Sequence, residues 1–114
     1  MENLNEFMFV FRLKPSNEQP SPEALKVMHE QWGGFIGNIA SQAKLVSTTR
    51  LGFGGKQIDE NSQITEGIYL SNGETISGNM VLKAESLDEA VEIAKACPIL
   101  NMGGNVEIRE TLAM

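Results

Sequence analysis

The chain lacks several features that define common classes of small protein. Its single cysteine, Cys97, excludes an internal disulfide and fits a reducing compartment. Nine basic residues, against 15 acidic ones, form no tract, so the net charge of −6 argues against nucleic-acid binding. No apolar run approaches the roughly 20 residues that span a bilayer, and the acidic start, Met1–Glu6, lacks the basic segment of a signal peptide. We expect a cytoplasmic protein that binds neither nucleic acid nor membrane.

Residues that commonly hold metals or cofactors are also scarce. His29 is the sole histidine, and no carboxylates cluster at metal-ligand spacing. The glycine-rich segment 52–55 lacks the Lys-Ser/Thr pair of a phosphate-binding loop. Cys97 precedes Pro98 at a predicted helix C-terminus, where the helix dipole disfavours a thiolate, so we interpret it as a small buried apolar residue. The sequence therefore predicts no metal and no cofactor.

What is present is the composition of one ordinary domain, residues 1–114. The chain is 41% hydrophobic and 21% charged, which is typical of a water-soluble protein. A domain of this length buries roughly two thirds of its unfolded surface. We therefore expect a hydrophobic core that forms without a disulfide or a metal.

Four segments have the alternation or β-branched content of strands: residues 7–13, 45–51, 76–84 and 106–112. The first is apolar on both faces, which is typical of a central strand covered on two sides. In the third, one face carries Met80, Leu82 and Ala84. Two shorter strands are expected to pair as a hairpin over residues 56–66, and the Asn-Gly pair at 72–73 is a strong turn signal.

Capping residues and apolar spacing predict two helices. The first should run from about residue 22 to residue 44, with Ser21 as N-cap and Pro22 in its first turn. Its apolar stripe comprises Leu25, Met28, Trp32, Ile36, Ile39 and Ala43. Ser86 and Glu89 form a capping box for the second helix, which Pro98 should end. Its stripe comprises Leu87, Ala90, Val91, Ala94 and Cys97.

The resulting order is β-α-β-hairpin-β-α-β. Two βαβ units with right-handed crossovers predict an α+β fold, a split βαβ sandwich of the ferredoxin-like type with both helices on one face of an antiparallel sheet. The other face would then expose apolar side chains of the first strand, which is unfavourable in water. We therefore expect a homodimer that packs through this sheet face.

One long stretch, TEGIYLSNGETISGNMVLKAESLDEAVEIAKACPIL followed by VEIRETL, combines a turn-rich loop, a capping box and a Cys-Pro helix stop. In this combination it resembles the YCII-related family, also called the DGPF-domain family. The resemblance covers about residues 65–112, whereas the front half agrees only in pattern. Residues 66–69, Glu-Gly-Ile-Tyr, stand where the family reads Asp-Gly-Pro-Phe, so Glu replaces Asp and Ile replaces Pro.

The resemblance implies a ferredoxin-like dimer, a dimeric α+β barrel, whose pocket is lined by the loop of residues 65–74. Tyr69 takes the place of the family's aromatic, and it either lines that pocket or packs as a half-buried ring. Some relatives carry a His–Asp pair, with the His on the first helix, as a candidate catalytic dyad. By this resemblance Glu66 is the carboxylate that would partner His29. Other relatives are encoded near, or fused to, extracytoplasmic-function sigma factors.

Residues on the first helix and second strand extend the candidate site. His29 lies about 60° from the centre of the apolar stripe, and a histidine with a carboxylate partner acts as a general base near neutral pH. Gly33 and Gly37 follow it at steps of four, and they either clear space for a ligand or admit a neighbouring backbone or core residue. Arg50 either binds a carboxylate or phosphate ligand or is simply solvated. Trp32 belongs to the core or to the pocket.

Three functions are consistent with these features. The first is a dimer that binds an unknown small molecule between the first helix and the sheet, with or without acid–base catalysis; whether the protein is an enzyme stays open. The second is a protein–protein or regulatory module linked to transcription. The third, by analogy of fold alone, is an oxygenase-type enzyme that needs no cofactor.

Overall fold

The structure is a computed structural model that describes residues 4–16 and 20–112. Its elements are β1 (Asn5–Leu13), α1 (Pro22–Ser41), β2 (Leu45–Arg50), β3 (Lys56–Ile58), β4 (Ile64–Glu66), β5 (Thr75–Ala84), α2 (Leu87–Ala94), a 3₁₀ turn (Pro98–Met102) and β6 (Asn105–Glu110). This order confirms the predicted α+β class and the predicted succession of strands and helices. The bounds of each strand differ by at most a few residues from those that the sequence predicts.

A four-stranded antiparallel sheet with the order β2-β5-β1-β6 forms the centre of the molecule. β1 is therefore a central strand, as its two apolar faces predict. The pairing of β1 with β5 contains a bulge, because Phe11 lies opposite Gly78 whereas Arg12 lies opposite Ile76. The residue between them, Ser77, donates a hydrogen bond from its hydroxyl to the carbonyl of Phe11 at 3.3 Å. This bond stabilises the bulge where the strand would otherwise leave a carbonyl unsatisfied.

The core lies between one face of this sheet and the helices. Its largest buried side chains come from β1, β5, α1 and the segment after α2: Phe7, Phe9, Met80, Leu82, Ile39, Cys97 and Ile99. The prediction that Met80, Leu82 and Ala84 share a buried face is confirmed, since all three are fully buried. Ala90 and Ala94 of α2 are buried as well, so both helices contribute to a single core.

Helix α1 differs from its prediction in length and in the face that it buries. It ends at Ser41, three residues early, because Ala43 has φ 58°, a left-handed conformation that a helix cannot continue through. Leu25 is exposed, whereas Phe35, which the predicted stripe omits, is buried. The predicted N-cap is confirmed, since the Ser21 hydroxyl accepts a hydrogen bond from the Ala24 amide.

Helix α2 begins as its capping box predicts. The Ser86 hydroxyl accepts a hydrogen bond from the Glu89 amide at 3.1 Å. The carboxylate of Glu89 also binds the Lys44 ammonium at 2.8 Å, which ties the helix to the start of β2. This hydrogen bond from Lys44 lowers the pKa of Glu89. The helix ends at Ala94, and Pro98 starts the 3₁₀ turn instead of directly ending α2.

The opposite face of the sheet is not covered by either helix of the described chain. Met8, Val10 and Val81 form a half-buried apolar row along its centre, because their pairing places them on the side away from the core. At the β6 edge, Glu107 accepts hydrogen bonds from Arg12 at 2.7 Å and from Arg109 at 3.3 Å. The Arg12 hydrogen bond lowers the pKa of Glu107. The face is therefore apolar in the centre and ion-paired at one edge.

The predicted hairpin is confirmed, and it forms a two-stranded sheet of its own. We call residues 56–66 the arm. Its turn is held by Asp59, whose carboxylate accepts hydrogen bonds from the amides of Asn61 and Gln63 at 2.8 and 2.9 Å. Its base is closed by a hydrogen bond from the Gly67 amide to the Gly55 carbonyl. The arm packs against no other described strand or helix to a significant extent, so it projects from the body of the protein.

Candidate functional site

Two of the predicted site residues, Trp32 and Arg50, belong to one end of the sheet, on the face that the helices cover. The strand register places Arg50 opposite Gly78, which in turn lies opposite Phe11. The Trp32 ring meets the Phe11 ring edge-on, with 5.4 Å between centroids, and Trp32 is half-buried. His29 lies on the same helix, nearly one turn before Trp32. The end of the sheet around Phe11 therefore carries an aromatic ring and an arginine, and α1 extends past them to a histidine.

The cationic side chain at this end has no counter-charge in the described part of the chain. Arg50 is exposed and takes part in none of the ion pairs among the described residues. Both other arginines, Arg12 and Arg109, are paired with Glu107. An unpaired guanidinium can accept a carboxylate or phosphate in a bidentate manner. Arg50 is therefore the group at this end that is suited to an anionic ligand.

Glu66 and Tyr69, the other two residues placed by the family resemblance, lie on the arm and just after it. Glu66 ends β4 and forms an ion pair with Lys56 at 3.2 Å, in which its side chain remains 79% exposed. Exposed pairs of this kind contribute little to stability. Tyr69 is 71% exposed and so does not pack as a half-buried ring. No hydrogen bond or ion pair joins Glu66 to His29 within the described chain, and the dyad is not assembled there.

The loop of residues 65–74 is anchored at its far end. Asn72 and Gly73 have φ of 55° and 78°, as the Asn-Gly turn predicts, and Ser71 and Glu74 exchange backbone hydrogen bonds on either side of them. The Glu74 carboxylate accepts hydrogen bonds from the Asn105 amide at 3.0 and 3.1 Å. The loop is thus fixed to the start of β6, while its earlier part exposes Tyr69.

Gly33 and Gly37 face open space. A Cβ added to either glycine would meet no atom within 4 Å, and both positions are exposed. No described residue of this chain therefore approaches either glycine, which contradicts the alternative that they admit a neighbouring backbone or core residue. Two helical glycines cost about 1 kcal/mol each relative to alanine, and the single chain provides no packing that compensates for this cost.

Two cavities lie elsewhere, in the groove between α1 and the segment that contains α2 and the 3₁₀ turn. The smaller measures ≈ 160 Å³ and is lined by Phe35, Asn38, Ile39, Gln42, Lys44, Glu92, Ile93 and Ala96. The larger, ≈ 350 Å³, is lined by Glu30, Gln31, Gly34, Phe35, Asn38, Ala96, Pro98 and Asn101. Neither includes any of the predicted site residues. These positions, rich in Gln and Asn side chains, were not predicted from the sequence, because most of them occupy the polar flank of α1, where side-chain amides usually face solvent.

Two features, a metal-ligand cluster and a membrane-spanning helix, are absent from the described ranges. Within residues 4–16 and 20–112, no three His, Cys, Asp or Glu side chains are grouped so that they could hold a metal ion. Over the same ranges, neither helix is long and apolar enough to cross a bilayer.

Cys97 is an internal residue, 1% exposed, and burial raises the pKa of its thiol to about 11. We expect the native thiol to react with Ellman's reagent at pH 8 at least about 100-fold more slowly than the same thiol in the urea-unfolded chain. Burial lowers both the fraction of thiolate and the access of the reagent to the sulfur. Because the native pKa is raised, the thiol's contribution to stability is complete below about pH 8.5 and is lost as the pH rises towards 11. Rapid labelling of the native protein, with a Cys97→Ala variant as blank, would contradict this burial.

Two comparisons with known proteins gave no match. No protein-family model matches the chain, and no curated protein matches its sequence significantly. What marks the candidate site is the position of Trp32 and Arg50 at one end of the sheet, with His29 nearly one turn before Trp32 on α1.

Proposed function

We propose that the protein is a ferredoxin-like homodimer that binds a small organic acid at the end of the sheet where His29, Trp32 and Arg50 lie. The observation that carries the proposal is the unpaired guanidinium of Arg50 on the same sheet end as the half-buried ring of Trp32. The strand order β2-β5-β1-β6, with all pairs antiparallel, supports the split βαβ arrangement. The apolar row of Met8, Val10 and Val81 supports dimerisation through the open sheet face.

The ligand class follows from the charges and the shape of this end. At a net charge of −6, the protein as a whole repels anions, so an anionic ligand needs a local cation, which Arg50 supplies. A guanidinium binds a carboxylate through two parallel hydrogen bonds. The exposed part of the Trp32 ring offers an apolar surface for the rest of the ligand. A carboxylate attached to an apolar or aromatic group satisfies both features.

Acid–base chemistry is the activity that this site favours. His29 is exposed on α1, where its imidazole could accept a proton from a C–H, N–H or O–H bond of the carboxylate ligand, breaking that bond and becoming imidazolium. A carboxylate partner, which the family resemblance assigns to Glu66, would orient the ring and stabilise its protonated form. Tyr69 would then serve as a hydrogen-bond donor or as the rim of the pocket. Arg50 would hold the ligand without taking part in proton transfer.

The proposal can be tested through Trp32, which is the sole tryptophan of the chain and so reports on this site alone. We expect phenylacetate to change its fluorescence and the neutral analogue phenylacetamide to bind at least about 10-fold more weakly, as a charged hydrogen bond contributes roughly 1.5–3 kcal/mol. Arg50→Gln should weaken phenylacetate binding by a similar factor.

The matched control is Arg109→Gln, which removes an exposed arginine from the opposite sheet face and should leave the affinity unchanged. Equal affinities for phenylacetate and phenylacetamide, or an Arg50→Gln variant that binds like the unaltered protein, would contradict the proposed role of Arg50. A fluorescence signal that does not respond to any carboxylate would contradict the site itself.

A further inference from the structure

The described protomer exposes more surface than a monomer of its size. Its accessible surface is 8214 Å², whereas a folded monomer of 12.5 kDa exposes about 6,200 Å². Its radius of gyration is 15.9 Å, against about 13 Å for a compact domain of this length. The surplus of about 2,000 Å² exceeds the roughly 800 Å² that each partner buries in a stable interface. The protomer therefore leaves enough surface exposed for a partner to cover.

The arm accounts for part of that surplus. Ile58 and Ile64 form a cross-strand pair on it, and they are 71% and 65% exposed. Tyr69 and Leu70, which follow the arm, are also exposed. An isolated two-stranded hairpin is only marginally stable in water, and this one gains no cover from its own chain. A surface that covers the isoleucine pair is therefore missing from the protomer.

A complementary surface lies along one flank of α1. Helical geometry places six exposed residues on that flank, within about 80° of arc: Pro22, Lys26, His29, Gly33, Gly37 and Ala40. The opposite flank, with Gln31 and Asn38, faces the 3₁₀ turn across the larger cavity. The first flank therefore faces away from α2, and its small residues make it flat enough for a strand pair to approach closely. We call it the α1 flank.

The two surfaces also differ in charge. The arm carries three carboxylates, Asp59, Glu60 and Glu66, against the single cation Lys56. The α1 flank carries Lys26 and His29 and no acidic residue. Opposite charges on surfaces that meet favour their encounter and fix their register.

We propose that, in the homodimer that packs through the open sheet face, the arm of one copy reaches past the sheet edge and seats on the α1 flank of the other, where it brings Glu66 and Tyr69 to the second copy's His29. The role assigned to these three residues rests on the proposed function; the seating of the arm rests on the surfaces alone. The arrangement explains why Glu66 has no contact with the histidine of its own chain. It also gives the two unfavourable glycines of α1 a use, since a Cβ at either position would hold the arm away from the helix.

Cross-linking between two variants that each carry one added cysteine tests the seating directly. An Ala40→Cys chain, altered on the α1 flank, mixed with an Asn61→Cys chain, altered in the turn of the arm, should give a covalent dimer with a bismaleimide, whereas either chain alone should give little. Both variants are expected to fold, because both positions are exposed and neither alters a glycine of the flank or an isoleucine of the arm. The unaltered protein, whose Cys97 is buried, is the blank. Leu100→Cys, exposed on the 3₁₀ turn, replaces Ala40→Cys in the matched control and should give no product with Asn61→Cys.

A second experiment measures association by sedimentation. Replacing Ile58 and Ile64 by threonine keeps the β-branched shape but removes apolar contact, and we expect it to weaken dimerisation at least about 10-fold. Leu87→Thr, a similarly apolar exposed site on α2, should have no such effect. A monomer at all concentrations, an unaffected dimer, or cross-linking of Asn61→Cys to Val10→Cys in place of Ala40→Cys would overturn the proposal.

The outcomes separate this inference from the proposed function. If no cross-link forms while phenylacetate still changes Trp32 fluorescence, the arm is wrongly placed and the binding site stands. If the cross-link forms but no carboxylate binds, the dimer stands and the proposed function is wrong. Seating of the arm on a different protein, the regulatory alternative, would show as a stable monomer of the purified chain and would likewise overturn the proposal.

Discussion

Replacing Phe9 by alanine is expected to lower the free energy of unfolding by about 3–5 kcal/mol. Phe9 is fully buried on the central strand of the sheet, where it lies opposite Met80 on one neighbour and Ile108 on the other. Its ring also meets that of Phe11 edge-on at 6.5 Å. The neighbouring strands hold the site open, so the cavity left by the ring would collapse only in part.

Urea unfolding followed by Trp32 fluorescence measures this loss, at one protein concentration because a dimer's apparent stability depends on it. The matched control is Phe53→Ala, which removes the same ring from a position that is 44% exposed, and it should cost less than about 1 kcal/mol. Small domains have a free energy of unfolding of about 5–15 kcal/mol. The loss in the Phe9 variant should therefore be a large and measurable fraction of the total. Equal losses for the two variants would contradict the assignment of the core to this sheet face.

The fold follows from local signals that agree with one another. The period-two pattern of residues 7–13 needs no tertiary information, because alternate side chains of a strand point to opposite faces. Ser21 and Ser86 cap their helices for equally local reasons. The end of α1 gave no such signal, because Ala43 adopts a left-handed conformation that alanine disfavours. The predicted stripe omitted the buried Phe35 because Phe35 and Ile36 lie three and four residues after Trp32. Both spacings fit a helical stripe, and the prediction took Ile36.

The candidate site was less accessible to sequence reasoning, because it depends on relations between distant elements. His29 could be named from its position beside the apolar stripe of α1, and Arg50 from its position at the end of an apolar strand. That Arg50 aligns with Gly78 and so with Phe11 depends on the register of two strand pairs, including the register shift between Leu45 and Ser47 in the pairing of β2 with β5. The hairpin itself was predicted, but nothing local shows that it leaves the sheet and carries Glu66 away from the body of its own chain.

Replacing Gly104 by alanine should lower the free energy of unfolding by at least about 2 kcal/mol, through overpacking. A Cβ at this position would lie 2.5 Å from the Arg12 carbonyl oxygen, 2.6 Å from a side-chain atom of Ile99 and 2.7 Å from one of Leu13. The carbonyl cannot retreat freely, because Arg12 pairs with Asn105 in the sheet. Urea unfolding compared with the unaltered protein measures the loss.

Gly34→Ala is the matched control, and it should act in the opposite direction. Gly34 lies inside α1, and a Cβ there meets nothing within 4 Å, so the substitution should raise the free energy of unfolding by up to about 1 kcal/mol through helix propensity alone. The two variants add the same methyl group, and only the surroundings differ. A loss of stability in both would mean that the helix is approached there by a second chain, whereas a gain in both would mean that the 3₁₀ turn packs less closely on β1 than these distances require.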